Sequence, residues 1–137
     1  MAIDVYMLID GIKGTSTDER HRDWIECTAV NWRGQPPAAA SVGGGHMGGQ
    51  CEHSDIVISK LADLASPVLL QSCRAGDTIP KAKFEFMRAD GQGLREKYLD
   101  IEIENVVVGA VSSSMDDGAS EQVGFRFSRV KWKYAQQ

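Results

Sequence analysis

Residues 2–32, AIDVYMLIDGIKGTSTDERHRDWIECTAVNW, decide the fold. The stretch begins with alternating apolar and polar side chains, as a half-buried strand requires. The apolar positions are Ile3, Val5, Met7 and Ile9. A glycine-punctuated turn follows at residues 10–14, and a polar run over 15–23 leads to a second strand pattern that starts at Trp24. The mixed charges of residues 18–23 predict a solvated loop. This opening indicates a chain built mainly from β-strands.

The rest of the chain continues this pattern. Besides 3–9, strands are predicted over residues 24–33, 55–61, 81–88, 97–111 and 122–134. Clusters of Gly, Pro, Asp or Ser separate them, which is typical of an all-β barrel or a two-sheet sandwich. There is no internal repeat, and 137 residues are enough to bury a core, so residues 1–137 are expected to form one domain.

One short helix is predicted within this β-rich chain. Ser66 is a good N-cap, and Pro67 suits the first helical position, where its missing N–H costs nothing. Gly76 is expected to end the helix, and Arg74 in the last turn complements the helix dipole. The apolar stripe that would face the core is Leu69, Leu70 and Cys73.

Two strands near the C terminus carry rows of opposite charge. Pairing about a turn at residues 116–117 would bring the rows together, Glu104 with Arg129, Glu102 with Lys131 and Asp100 with Lys133. Each cross-strand pair contributes roughly 0.2–1 kcal/mol, so a solvated hairpin face is favoured over a charged binding patch. The apolar positions change parity after Phe127, which predicts a β-bulge near residues 128–129.

Composition excludes several classes of function. The formal net charge is −4, which argues against a general binder of nucleic acid or of anionic membranes. No apolar run approaches the roughly 20 residues that span a bilayer, and the first residues lack the features of a cleaved secretory signal. We therefore expect a protein that is made and folded in the cytoplasm. Its three cysteines, Cys27, Cys51 and Cys73, are odd in number and widely spaced, which predicts reduced thiols.

The longest segment without a regular pattern is GQPPAAASVGGGHMGGQCE, residues 34–52. Loops of this length inside a compact domain are usually functional or mobile. Its glycines have a spacing like that of a P-loop, but the Lys-Ser/Thr that would hold phosphate and magnesium is missing. His46, Cys51 and His53 could share a zinc ion, yet their spacing matches no standard zinc site and no fourth ligand is evident. The chain has no G-x-S-x-G and no H-E-x-x-H motif, so no catalytic residue, metal site or cofactor is predicted.

The order of these motifs resembles the Hcp family, the tail-tube proteins of bacterial type VI secretion systems. The shared opening is a first apolar strand with an acidic residue, then D-G-x-x-G, S-x-D, a His and W-I-E. Downstream, the matching pieces are the Gly-rich loop at 42–49, Ser54-Asp55-Ile56, Lys60, Ala65-Ser66-Pro67 and the helix end at 73–76. The resemblance covers nearly the whole chain.

What the resemblance implies is a structural role. Hcp-like proteins form homohexameric rings that stack head to tail into a tube, which lies inside a contractile sheath, meets the baseplate, carries a spike at its tip and is expelled from the cell. Such a tube can hold effector proteins in its lumen, and its export needs no cleaved signal. The Gly-rich segment is then expected to be a ring-stacking loop, formed by Ser41, Val42, Gly43, Gly44, Gly45, His46, Met47, Gly48 and Gly49.

Asn31 is the candidate cargo residue. It lies on the opposite strand face from Trp32, at a spot where Hcp-like proteins tend to carry a small polar side chain that faces the lumen. The Asn here is larger, so a lumen-facing position is implied and the cargo preference stays open. The alternative from another class is a stand-alone ligand-binding or metal-binding β-barrel, possibly an enzyme that uses His46, Cys51 and His53.

Overall fold

The computed structural model describes residues 3–33, 55–89, 92, 94–114 and 119–134. In this part of the chain, eight strands and one helix occur in the order β1 (Ile3–Ile9), β2 (Ile25–Cys27), β3 (Ala29–Arg33), β4 (Asp55–Leu61), α1 (Ala65–Ala75), β5 (Thr78–Ala89), β6 (Arg95–Ser114), β7 (Ser120–Arg126) and β8 (Arg129–Tyr134). The mainly β fold with one short helix is confirmed. The predicted strand over 24–33 is divided at Thr28, and the one over 122–134 is divided at residues 127–128.

The strands form a single antiparallel sheet in the order β2-β1-β5-β6-β7-β4-β3, and β8 pairs with β6. Its two end strands, β2 and β3, are separated in sequence only by Thr28. The sheet therefore curls until its ends meet at this bent segment, where the Thr28 backbone N–H donates to the Ser59 carbonyl at 2.7 Å. No ladder joins β2 to β3 among the described strands, so the barrel-like sheet is not closed by hydrogen bonds.

The long strand β6 belongs to both halves of the curled sheet. Its first part pairs with β5 on one edge and with β8 on the other, and its last part pairs with β7. The neighbour changes from β8 to β7 between Glu104 and Val107, and the register with β7 shifts between Val108 and Ala110. Such irregularities bend a strand and increase its twist, which lets one strand serve both halves. The predicted bulge near residues 128–129 is wrong, because Arg126 pairs with Val107 and Arg129 with Glu104, so no residue is inserted across the interruption at residues 127–128. The apolar parity changes in both strands together, since β6 also changes it at Asn105, which has φ 55°.

The core lies inside the curl and is filled by the alternate residues of each strand. Met7, Ile58, Phe84, Ile103 and Phe125 are all fully buried. Each buried side chain of this size stabilises the fold by about 1.5–3 kcal/mol relative to exposure. The alternating pattern thus determines which face of every strand points inward.

The helix begins earlier than predicted. Its N-cap is Leu64, which makes no side-chain cap hydrogen bond, so Ser66 lies inside the helix rather than at its cap. Asp63 provides the capping instead, because its Oδ1 accepts from the Ala65 N–H at 2.9 Å. At the other end, Gly76 has φ 71° and donates its N–H to the Ser72 carbonyl, as predicted for a glycine that ends a helix.

The apolar stripe of the helix is narrower than predicted. Leu69 is fully buried and Cys73 packs against the core, but Leu70 is exposed.

Burial raises the pKa of the Cys27 thiol to about 12, which keeps it protonated and unreactive. Cys27 and Cys73 are free thiols, as predicted, and Cys51 lies outside the described residues.

A buried lysine fastens the helix to the sheet. Lys60 of β4 is fully buried, and its Nζ donates to Asp63 Oδ1 at 2.8 Å, Glu121 Oε1 at 2.9 Å and Ser66 Oγ at 3.0 Å. Ser66 in turn donates its hydroxyl to Glu121 at 2.8 Å. One ammonium group thus joins β4, β7 and the first turn of α1, and it compensates two largely buried carboxylates.

Candidate functional site

The outer surface of the sheet has one half that is almost free of charge. We call it the small-residue face, and it is formed by residues that alternate with core-facing ones in β3, β4, β7 and the last part of β6. Its members are Asn31, Val57, Ser59, Ala110, Ser112, Gln122 and Gly124. The residues between them in β4 and β7, such as Ile58 and Phe125, are fully buried. The alternation therefore points these small side chains away from the core.

The central row of the small-residue face has little side-chain bulk. In the ladder, Asn31 lies opposite Val57, Val57 opposite Gly124, and Gly124 opposite Ala110. A Cβ added at Gly124 would lie 3.8 Å from both the Ala110 Cβ and the Val57 Cγ2, which is ordinary contact. Four strands thus present hydroxyl, amide and methyl groups along this row, and the charged residues Arg33, Asp55 and Arg126 occupy adjacent ladder positions at one end.

The other half of the outer surface is strongly charged. The predicted register of the C-terminal hairpin is confirmed, with Glu104 opposite Arg129, Glu102 opposite Lys131 and Asp100 opposite Lys133. The predicted ion pairs are only partly formed. Arg129 lies 3.7 Å from Glu104, whereas Asp100 pairs with Lys97 at 3.0 Å and Glu102 with Lys81 at 3.7 Å.

The reason for this difference is that the anionic strand β6 lies between two cationic strands. Each carboxylate of β6 can therefore pair with a cationic side chain of β8 on one edge, with one of β5 on the other edge, or with one of β6 itself. The hydrogen bond to Asp100 raises the pKa of Lys97, which keeps that lysine charged. Exposed pairs of this kind contribute about 0–1 kcal/mol each, so the charged face is a solvated surface rather than a binding cleft.

The polar run at residues 15–23 is not simply a solvated loop, as its mixed charges suggested. His21 is almost fully buried, with Nδ1 2.6 Å from Asp18 Oδ2 and Nε2 2.7 Å from Glu85 Oε1. Its ring stacks on Tyr6 at a centroid distance of 4.2 Å, and the edge of Trp24 closes the other side. Local sequence pattern does not reveal this cluster, because Glu85 is 64 residues away from His21.

Both ring nitrogens of His21 lie within hydrogen-bond distance of a carboxylate, one from Asp18 and one from Glu85. The hydrogen bond from His21 lowers the pKa of Asp18. Burial alone would raise the pKa of Glu85, but hydrogen bonds from His21 and Lys83 outweigh it and the pKa is lowered. Because the ring is inaccessible, the cluster fastens the loop to the sheet and cannot meet a substrate.

Arg95 extends this cluster across the surface. Its guanidinium donates to Asp18 at 2.8 Å and to the Tyr6 hydroxyl at 2.7 Å, and it lies 3.2 Å from Asp4. The loop that follows β1 is therefore anchored to β1, β5 and β6 together. No group of three or more potential metal ligands occurs within the described ranges 3–33, 55–89, 94–114 and 119–134.

Comparison with known proteins decides the family. The family model described as "Type VI secretion system effector, Hcp" matches residues 6–134. The chain belongs to the Hcp family of type VI secretion proteins. It is 31% identical to "Protein hcp1" of Pseudomonas aeruginosa over 100% of this chain and 86% of that protein. It also resembles the crystal structure of Hcp1 from Salmonella typhimurium, with 31% identity, a TM-score of 0.80 and coverage of 100% and 89% of the two chains.

The fold also extends to a more distant contractile injection system. A chain of an extracellular sheath–tube complex matches with a TM-score of 0.53 and 13% identity over 97% of this chain and 88% of that one. At this identity the likeness shows the fold alone. The family membership confirms the predicted role of a type VI secretion tube subunit, a protein that assembles with itself and is secreted.

The residues predicted for function fall into two groups in this Hcp protein. Asn31 is exposed on the small-residue face, on the other side of the strand from Trp32, as its position in the alternation predicted. The predicted stacking loop at 41–49 and the possible metal ligands Cys51 and His53 lie outside the described residues. These assignments stay predictions. Among the described helices, none is long and apolar enough to cross a membrane.

Proposed function

We propose that this Hcp protein forms a homohexameric ring, that the rings stack into the type VI tube, and that the small-residue face lines the lumen. The observation that supports the lumen assignment is the contrast between the two halves of the outer surface. One half carries rows of alternating charge, while the half that includes Asn31 and Gly124 carries hydroxyl, amide and methyl groups.

The physical reason is that a channel through which proteins of different net charge pass must not bind any of them tightly. A unit charge on the wall attracts an opposite charge 4 Å away by about 1 kcal/mol in water, and by about 4 kcal/mol near a protein surface. Rows of such charges would retain one class of cargo and repel the other. Small uncharged groups such as Ser59 and Ser112 avoid both effects and remain hydrated.

We also propose for this chain the steps of assembly and export that the family implies. The subunit folds in the cytoplasm, assembles inside the sheath on a baseplate, carries the spike at the tube tip and is expelled without a cleaved signal. Effector proteins travel in the lumen, where Asn31 can donate and accept hydrogen bonds. No catalytic step is assigned to the chain, and no cofactor is required.

Native mass spectrometry tests the ring, because it should give a sixfold particle, and a stable monomer across a micromolar concentration series would contradict it. Thiol labelling tests the lumen. Gln122→Cys lies on the small-residue face and Lys83→Cys on the charged face, and the unsubstituted chain gives the baseline. In stacked tubes, a small maleimide should label both positions, but a polymer-linked maleimide should label only Lys83→Cys. Equal labelling by the polymer reagent would place the small-residue face outside the channel.

Deletion tests the stacking loop. Removing residues 43–49 should leave the domain folded, because exposed loops tolerate shortening, and should abolish tube formation and secretion. Circular dichroism and melting temperature serve as the folding control. Unaltered secretion by the deletion variant would exclude a role for this segment in assembly.

A further inference from the structure

Several aromatic side chains are exposed to solvent at the end of the sheet where β8 extends beyond the end of β4. The last ladder pair of β4 is Asp55 with Arg126, and β8 begins after it. Along β8, Trp132 lies opposite Ile101 and Tyr134 opposite Leu99, so both are on the core side of the sheet. They are nevertheless 55% and 65% exposed, because no described strand covers this end.

These residues join others into one surface, which we call the aromatic shelf: Trp32, Trp132, Tyr134 and Tyr98. The rings of Trp32 and Trp132 are 5.3 Å apart, and those of Tyr98 and Tyr134 are 6.4 Å apart. Trp32 is 40% exposed, although it also contacts Phe127 at the edge of the core. Trp and Tyr are the residues most enriched among those that dominate protein–protein binding.

We infer that the aromatic shelf is the surface by which one copy of this chain contacts the next copy in the assembly. The inference rests on the proposed ring and names the surface that builds it. Strand β8, which carries Trp132 and Tyr134, pairs only with β6 in the described part of the chain, so its second edge has no ladder partner. An uncovered edge with large aromatic residues is a liability unless another chain covers it.

Charge complementarity favours a second copy as the occupant. The outward face of β8 carries Lys131 and Lys133, which form no ion pair among the described residues, and Arg88 lies 4.8 Å over the Tyr98 ring. Arg88 thus lies at the shelf itself, and the two lysines border it from the outward face, where they lie opposite Glu102 and Asp100 in the ladder. We call these three cations the basic rim, on a chain of net charge −4. Another copy presents exposed carboxylates to such a rim, at Asp10, Glu19, Asp23, Glu26 and Asp77. Because the rim and these acids are different surfaces, the contact is heterologous, the kind that closes into rings.

The test is a double substitution, Trp132→Thr with Tyr134→Thr. Threonine keeps the strand preference, and both side chains are more than half exposed, so the domain should still fold. Trp32 is left in place because it also packs on Phe127. Native mass spectrometry and sedimentation across a concentration series should show monomers where the unsubstituted chain forms rings. We expect each contact to weaken by at least about thirtyfold in dissociation constant, which corresponds to the loss of one dominant residue.

A matched control is Leu70→Gln, which removes an exposed apolar side chain from α1, away from the shelf. It should leave the assembly unchanged. Rings that survive the double substitution overturn the inference but leave the proposed function standing, whereas monomers of the unsubstituted chain overturn both. Equal loss of rings in Leu70→Gln also overturns it. A double variant that melts at lower temperature but still assembles would show that the chain's own residues cover the shelf, and would overturn it as well.

Discussion

Replacing Lys60 with methionine should destabilise the domain more than any surface change. The ammonium group is fully buried and lies 2.8 Å from Asp63 and 2.9 Å from Glu121, which are themselves only 8% and 11% exposed. Methionine has a similar reach but leaves two neighbouring carboxylates without compensation. Breaking a buried ion pair in this way costs about 3–5 kcal/mol, a large part of the roughly 5–15 kcal/mol that stabilises a typical domain.

Urea unfolding at matched protein concentration measures this loss, since assembly itself adds to stability. With a slope of about 2 kcal/mol/M, the midpoint of Lys60→Met should fall by about 1.5–2.5 M. The control is Lys83→Met, where a lysine that is 41% exposed pairs with Glu85 at 3.2 Å. Removing such a surface pair costs about 1 kcal/mol or less.

A triple variant separates the effect of the uncompensated charges on stability from the effect of packing. Adding Asp63→Asn and Glu121→Gln to Lys60→Met removes the two uncompensated charges, while both amides can still accept the hydrogen bonds from Ala65 and Ser66. The triple variant should recover at least half of the lost stability. If Lys60→Met costs less than about 1 kcal/mol, or if the triple variant is less stable than the single one, the charge argument is refuted.

Three further predictions follow from other sites. Because the folded-state pKa values of Asp18 and Glu85 are lowered, their contribution to stability is complete above about pH 4–5 and should be lost as the pH falls through the lowered values. Urea unfolding measured at a series of pH values should show this loss of unfolding free energy. The double variant Asp18→Asn with Glu85→Gln should show a weaker dependence on pH. Gly14→Ala should cost about 1–3 kcal/mol, because a Cβ there would lie 2.5 Å from the Trp24 carbonyl oxygen, and a melting temperature equal to that of the parent would contradict the clash. Asn31→Gln should keep the hexamer and its melting temperature while changing which effectors are delivered, and unfolding or loss of the ring would make the residue structural.

Local pattern was sufficient for most of the secondary structure. The predicted strands at 3–9 and 55–61 coincide with β1 and β4, because alternation of apolar residues reports the buried face directly. The hairpin register was also predictable, since a one-residue slip would have turned Ile101 and Ile103 to the solvent. The helix start was missed because the cap hydrogen bonds come from Asp63, whose carboxylate is oriented by the buried Lys60.

The site was less predictable than the fold. Alternation placed Asn31 on the face away from Trp32, but only the ladder pairs bring it into one row with Gly124 and Ala110. The loop at 15–23 gave a misleading signal, since its mixed charges are typical of a solvated segment. His21 is buried there only because Tyr6 and Glu85 form its surroundings, and no local window contains all three.

The sequence by itself therefore determined the β-rich class, the strand faces, the helix end and the family, because each depends on residues that are close together along the chain. Tertiary structure alone decided which charges meet, which lysine is buried and which aromatic side chains stay uncovered. Those outcomes depend on the curl of the sheet, which brings β4 to β7 and carries β8 beyond the end of β4. Long-range pairing of this kind fixes the surroundings of a side chain, and the surroundings decide whether it is solvated, paired or available to another copy.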